Sequence, residues 1–303
     1  MTRSFAVPWH ALLAAGCLLV ALPACAQKAY PSADAAADAF TDAVRRVDPA
    51  ALRTVLGADW KKFIPADNID RRDVEAYLAA WDKSHRIEAG AAGTSSRLSI
   101  GDPAWTLPIP IVQSKAGWHF DPRAGVDELR TRRIGRNELA AMQAVLAYYD
   151  AQKDYALKDR TGGGVREYAQ KFVSTPGKHD GLYWDDTTGQ DESPLGPLFA
   201  GAQPQPQQQG PGYHGYQFKI LKAQGKTAPG GAFDYVIGKR MRAGFALVAW
   251  PLRYGDTGVM SFMVSHDGTV VEKDLGPNTD ALARAMTRFN PDPSWKKAAV
   301  PGT

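Results

Sequence analysis

Both cysteines of this chain, Cys17 and Cys25, fall within its first 26 residues. The same stretch has a charged start at Arg3, an apolar run from Ala11 to Leu22, and the small residues Ala24 and Ala26 around Cys25. That three-part pattern is the form of a secretory leader. Cleavage after Ala26 starts the mature chain at Gln27 and leaves it without a cysteine. It then has no disulfide, no thiol nucleophile and no thiolate metal site, and must fold on ordinary apolar cores.

Leu22-Pro23-Ala24-Cys25 also has the form of a lipoprotein processing box, in which Cys25 is lipidated and becomes the first residue. Pro23 is atypical of such a box, so soluble release into the periplasm is the expectation and a lipid anchor at Cys25 the alternative. Both place the folded part outside the cytoplasm. The apolar run is shorter than the roughly 20 residues of a membrane-spanning helix, and no later segment reaches that length, so no membrane span is expected. A length of 303 residues, 44% hydrophobic and 22% charged, is that of a globular protein of about two domains. Loss of Arg3 with the leader lowers the formal charge from +4 to +3. Arg130, Arg132, Arg133 and Arg136 read as a solvated face, and nucleic acid is not an expected partner, because phosphate binding needs a concentrated basic surface.

The first domain, 27–133, opens with helices. Ser32 caps one whose apolar face is Ala36, Phe40, Val44 and Val47, and Asp48 caps a second with Pro49 at its first position, Leu52 and Val55 inward and Gly57 closing it. A third, from Asp70, places Val74, Tyr77, Leu78 and Trp81 on one stripe. Alternation at Trp105, Leu107, Ile109 and Ile111 predicts a strand, and Pro108 and Pro110 put it at a sheet margin. Lys115-Ala116-Gly117 turns it back into Trp118-His119-Phe120. Helices followed by a curved antiparallel sheet make a small α+β domain, by analogy a cone-shaped fold of the nuclear-transport-factor-2 kind.

The second domain, 134–303, starts with a helix capped at Asn137, with Leu139, Met142, Leu146 and Tyr149 inward. After Gly162-Gly163-Gly164 a shorter helix holds Tyr168 and Phe172. A long irregular segment then runs from Ser174 through the Gln/Pro stretch around Gln203 to Gly212. Alternation at Tyr216-Phe218-Ile220, Phe233-Tyr235-Ile237, Phe245-Leu247-Ala249 and Ser261-Met263 predicts an antiparallel meander. Asp267-Gly268 is its hairpin turn into Val270-Val271, and a last helix turns Leu282, Met286 and Phe289 inward.

No stretch satisfies the requirements of a known catalytic motif. Gly210, Gly212 and Gly215 have the dinucleotide-loop spacing, but a strand must precede them and a helix follow, and here neither does. Gly225-Lys226-Thr227 lacks the first glycine of a phosphate loop, because Ile220 stands there. Asp159 to Glu167 is a poor calcium loop, interrupted by Arg160 and Thr161. His85, His119, His179, His214 and His266 show no helical metal spacing, so neither metal nor cofactor is implied. The chemically dense stretch is Lys178 to Asp186, followed by Asp191 and Glu192. Its candidates for acid–base work are His179, Asp185 and Asp186, and its candidates for ligand contact are Tyr183 and Trp184. Such loops more often cap helices and pack their tryptophan on the domain.

Tyr168-Ala169-Gln170-Lys171-Phe172, Gly181-Leu182-Tyr183-Trp184, Ser193-Pro194-Leu195-Gly196-Pro197, Gly244 to Pro251 and Lys273-Asp274-Leu275-Gly276 stand in the order seen in an uncharacterised bacterial family. Through them nearly the whole mature chain resembles domain of unknown function 2950, a resemblance that brings no assigned activity or catalytic residue. The family's loop at Asp159 to Gly164 is more Asp/Gly-rich, so the departure here weakens a metal role. The second domain also resembles the globular part of type IV pilin-like proteins at Gly215-Tyr216, Tyr254-Gly255, Gly258 and Met260-Ser261-Phe262. It lacks their apolar assembly helix, so the resemblance implies an α+β shape and not filament formation. The resulting expectation is a non-catalytic accessory that binds an envelope protein or glycan. The alternative is a periplasmic hydrolase acting on glycan through the 178–192 loop. Mass spectrometry of the exported protein should find Gln27 at its N-terminus; a lipidated Cys25 there would establish the anchored form instead.

Overall fold

The computed structural model describes residues 27–62, 71–90, 93–102, 104–185, 191–201 and 212–299. Residues 1–26 with Cys25, Asp70, Asp186 and the Gln/Pro stretch around Gln203 lie outside the described residues. The chain divides into two compact units, Met1–Val126 and Asp127–Thr303, each combining helices with antiparallel sheet in an α+β architecture.

In the first unit α1 (Ala33–Arg45), α2 (Pro49–Leu56) and α3 (Arg71–Lys83) precede β1 (His85–Ala89), β2 (Ser95–Ile100), β3 (Trp105–Thr106), β4 (Ile111–Ser114) and β5 (Gly117–Phe120). The caps form as expected: Ser32 Oγ accepts the Ala35 amide at 3.0 Å, and the Asp48 carboxylate accepts the Ala50 and Ala51 amides. Val47, expected to face inward, is 68% exposed. It occupies the left-handed position after α1 (φ 49°), where its amide reaches Val44 O and the Asp48 amide reaches Ala43 O, so closing the helix turns its side chain to solvent. The stripe on α3 holds, with Trp81 buried and the Tyr77 hydroxyl 2.9 Å from that of Thr41.

The sheet runs β1-β2-β4-β5, with β3 also paired to β2. The single strand expected from Trp105 to Ile111 is therefore two, and β4 lies inside the sheet rather than at its margin. Pro108 and Pro110 offer no amide to a ladder, so the chain leaves β2 after Thr106 and rejoins it at Ile111. Leu107, Ile109 and Ile111 are nonetheless all buried.

The second unit carries α4 (Val126–Tyr155), α5 (Pro197–Gly201), β6 (Tyr216–Leu221), β7 (Ala223–Gln224), β8 (Phe233–Asp234), β9 (Val236–Ile237), β10 (Arg240–Met241), β11 (Ala246–Pro251), β12 (Met260–Ser265), β13 (Val270–Asp274), α6 (Thr279–Ala285) and β14 (Lys296–Lys297). Helix α4 starts at Val126, not after a cap at Asn137. Asn137 is instead a mid-helix clamp whose amide donates to Thr257 O at 2.8 Å. The fully buried stripe of α4 is Ala141, Ala144, Val145, Tyr148, Ala151, Gln152 and Tyr155. Met142, Leu146 and Tyr149 pack at its flank and Leu139 is exposed, because small side chains let the helix backbone approach the core more closely than leucines would.

The main sheet runs β14-β13-β12-β11-β6, all antiparallel, with every residue of β11, between β12 and β6, buried. Asp267-Gly268 makes the turn between β12 and β13, Gly268 taking the positive φ of 82°. The expected Phe233–Ile237 strand is split between two short ribbons outside this sheet, β7 with β8 and β9 with β10. Gly238 (φ 57°) and Lys239 (φ 69°) reverse the chain in a two-residue turn before a longer strand can form. The last helix ends early: Thr279 and Ala283 are its buried residues, Leu282 faces out, and Phe289 is buried beyond it by backbone bonds to Ala223 and Gly225.

No helix forms around Tyr168 and Phe172. Backbone groups there bond outward instead: the Tyr168 amide reaches Met241 O, and Ala169 is held by the buried side chain of Gln152. Gln152 Oε1 accepts the Ala169 amide and its Nε2 donates to Ala169 O, both at 2.8 Å, with a further contact to the Tyr148 hydroxyl at 2.9 Å. Gln152→Leu strands both groups of Ala169 in a dry interior and should cost about 2–5 kcal/mol. A lowered urea midpoint for the second unit checks this; an unchanged midpoint would mean that Ala169 finds other partners.

Candidate functional site

The described residues of the 156–196 segment of the second unit are irregular backbone pinned from several sides. The Ser174 amide reaches Tyr183 O, the Tyr183 amide Phe172 O, and the Leu195 amide Leu182 O, so Leu182 and Leu195 enter the core. Gly181 is required at this crossing: a Cβ there would stand 2.7 Å from the Ser174 nitrogen and the Val173 carbonyl carbon, both backbone atoms.

The residues gather around Asp191. Arg160 Nη1 reaches both of its carboxylate oxygens (2.7 and 2.9 Å), Lys158 Nζ one of them at 3.0 Å, and His179 Nδ1 the other at 3.2 Å. The Arg160 side chain is only 4% exposed and lies over the Trp184 ring at 5.0 Å; His179 is stacked with the same ring, at 4.3 Å and 19°. Trp184 Nε1 donates to Asp191 O at 2.8 Å, and the Tyr155 hydroxyl to His179 O at 2.7 Å. Burial pushes that hydroxyl up to about 12. Hydrogen bonds from Lys158 and then Arg160 hold the Asp191 carboxyl below its ordinary range.

His179 is therefore brought to Asp191, not to Asp185. The Asp185 carboxylate accepts the Tyr183 hydroxyl, whose pKa is raised by that bond, and Asp186 lies outside the described residues. Trp184 is 7% exposed, with His179 and Arg160 against its ring. Tyr183 is half-buried and lines an open groove of about 540 Å³ with Asp185, Glu192, Ser193 and Pro197. Arg160 and Lys158 were not singled out by the sequence, because a pairing across more than thirty positions leaves no local pattern. The Asp159 carboxylate accepts the Gly163 and Gly164 amides, and among the described residues no group of three His, Cys, Asp or Glu side chains is placed to hold a metal ion.

A second groove, of about 400 Å³, runs between α4 and the 195–199 ridge. Ala140, Ala144 and Ala147 line one wall, Pro197, Leu198 and Phe199 the other, and Tyr213 and His214 close it. Among the described residues, no formally charged side chain lines it. His214 is held in the left-handed region at φ 49°, a conformation tolerated by few side chains.

A family model described as "Protein of unknown function (DUF2950)" matches residues 27–298. The chain belongs to this DUF2950 family. No curated protein and no solved structure was found to match it. The match includes both grooves and the Asp191 cluster, so these are features of the DUF2950 region and not of an appended segment.

Within this DUF2950 loop, burial alone would raise the Asp180 carboxyl. Hydrogen bonds from Lys171 Nζ (2.6 Å), the Thr175 amide (2.7 Å) and the Thr175 hydroxyl (2.9 Å) outweigh it and lower the group from 3.8 to about 2. A folded pKa below the unfolded one stabilises the fold above the unfolded value, and that stabilisation is lost as pH falls through the folded value. Asp180→Asn should therefore cost on the order of 1 kcal/mol at neutral pH, after solvent screening. Urea titrations should show the gap between wild type and variant closing between about pH 4 and 2.

Proposed function

We propose that this DUF2950 protein is an exported envelope accessory whose second unit docks an apolar segment of another envelope protein and performs no chemistry of its own. The observation that carries this reading is the uncharged groove along α4, with Leu198 79% exposed on its rim. A side chain of that size left in water beside an apolar recess is a feature of partner-binding surfaces. Location outside the cytoplasm is supported by the leader pattern of the first 26 residues.

The state of the 178–192 loop argues against the glycan hydrolase. Glycoside hydrolysis needs one carboxyl that keeps its proton near the working pH and a second, ionised one facing it. In this loop Asp180 and Asp191 are both held low by cations and hydrogen bonds, and Trp184 is buried with His179 and Arg160 against its ring.

A photo-crosslinking residue at Leu198, introduced in intact cells, should give a discrete protein adduct, and the same residue at the exposed Leu282 should not. Ala147→Glu places a charge in the groove from an exposed position of α4. It should reduce the Leu198 adduct several-fold while leaving the melting temperature unchanged. Equal adducts at both sites, or an adduct indifferent to Ala147→Glu, would remove the groove as a docking surface. Glycan capture that depends on His179 and Asp185 would install the hydrolase reading in its place.

A further inference from the structure

The two grooves of the second unit share one wall, Leu195 to Pro197, so the uncharged recess along α4 and the one beside Tyr183 flank the same ridge. Among the described residues, the second recess is lined by Asp185 and Glu192 and by no basic side chain. Their neighbours are matched: Asp180 by Lys171, and Asp191 by Lys158 and Arg160. Asp185 and Glu192 are in no ion pair among the described residues, and the partner Asp185 does have is the neutral Tyr183 hydroxyl. The chain as a whole is basic, with a formal charge of +4, so an unmatched acidic lining is local placement and not a consequence of composition.

An apolar recess that adjoins an unmatched acidic one across a shared ridge is complementary to a particular kind of occupant. We infer that the docked segment is an extended stretch of a partner protein with an apolar side chain against Leu198 and Phe199 and, a few residues along, a lysine or arginine against Asp185 and Glu192. This rests on the partner-binding reading and states the chemistry of the partner. The apolar contact supplies the burial, and the charge fixes the register and direction of the segment. A sugar would stack on an open aromatic face, and the Trp184 ring is only 7% exposed, with His179 and Arg160 against it.

The test is selection from a random peptide library on the immobilised protein, purified as its host processes it, against Leu198→Asp and the double variant Asp185→Asn, Glu192→Gln. Both replacements in the double variant are near-isosteric, and Asn can still accept the Tyr183 hydroxyl. Wild type should enrich peptides with Lys or Arg a few positions from an apolar residue. The double variant should keep the apolar preference, lose the basic one, and bind the wild-type winners about five- to tenfold more weakly. Enriched peptides without a basic preference, or one that survives in the double variant, would overturn the inference and leave the groove standing. Equal recovery on wild type and Leu198→Asp would overturn both.

Discussion

The second unit depends on one buried amide. Gln152 is fully enclosed in α4, and its side chain takes up both backbone groups of Ala169, as a neighbouring strand would. An interior cannot accept an irregular segment whose polar groups go unmet. With Ala169 satisfied, Tyr168 can bond to Met241, and the chain can continue to the Val173–Tyr183 bridge that carries Leu182 into the core. The long segment after α4 is thus packed structure without being regular structure.

A second fixed point, at Asp191, decides what the chemically dense loop can be. Two cations and a histidine converge on one carboxylate, and both the histidine ring and the Arg160 guanidinium lie against Trp184. Such a network ties Lys158 and Arg160 to the far side of the 178–192 loop. It engages His179 and Asp191 with one another, while Asp185 and Glu192 line the neighbouring groove outside the network.

Where the backbone itself carried the instruction, the sequence was legible. The caps at Ser32 and Asp48, the stripe on α3, the turns at Lys115-Ala116 and Asp267-Gly268, and the strands at Tyr216, Phe245 and Ser261 all form. Departures occur where another segment supplied the partner. Tyr168 and Phe172 have helical spacing, but their amides and carbonyls found Met241 and Tyr183 first. The inward face of α4 is its alanine-rich stripe, because the closeness of approach is set by what the helix packs against. At the site, Tyr183, Trp184, Asp185 and His179 stood together in the sequence, but nothing local distinguished a buried tryptophan from an open one.

By itself the sequence determined the α+β class and family membership, through apolar periodicity and ordered motifs that each act over a few residues. The tertiary structure alone decided that His179 meets Asp191, that Trp184 is buried, and that an uncharged recess adjoins an acidic one across Leu195 to Pro197. Periodicity and capping follow from local backbone geometry and can be read along the chain. Ion pairs, stacking and grooves join residues tens of positions apart, and exist only once folding has brought those residues together.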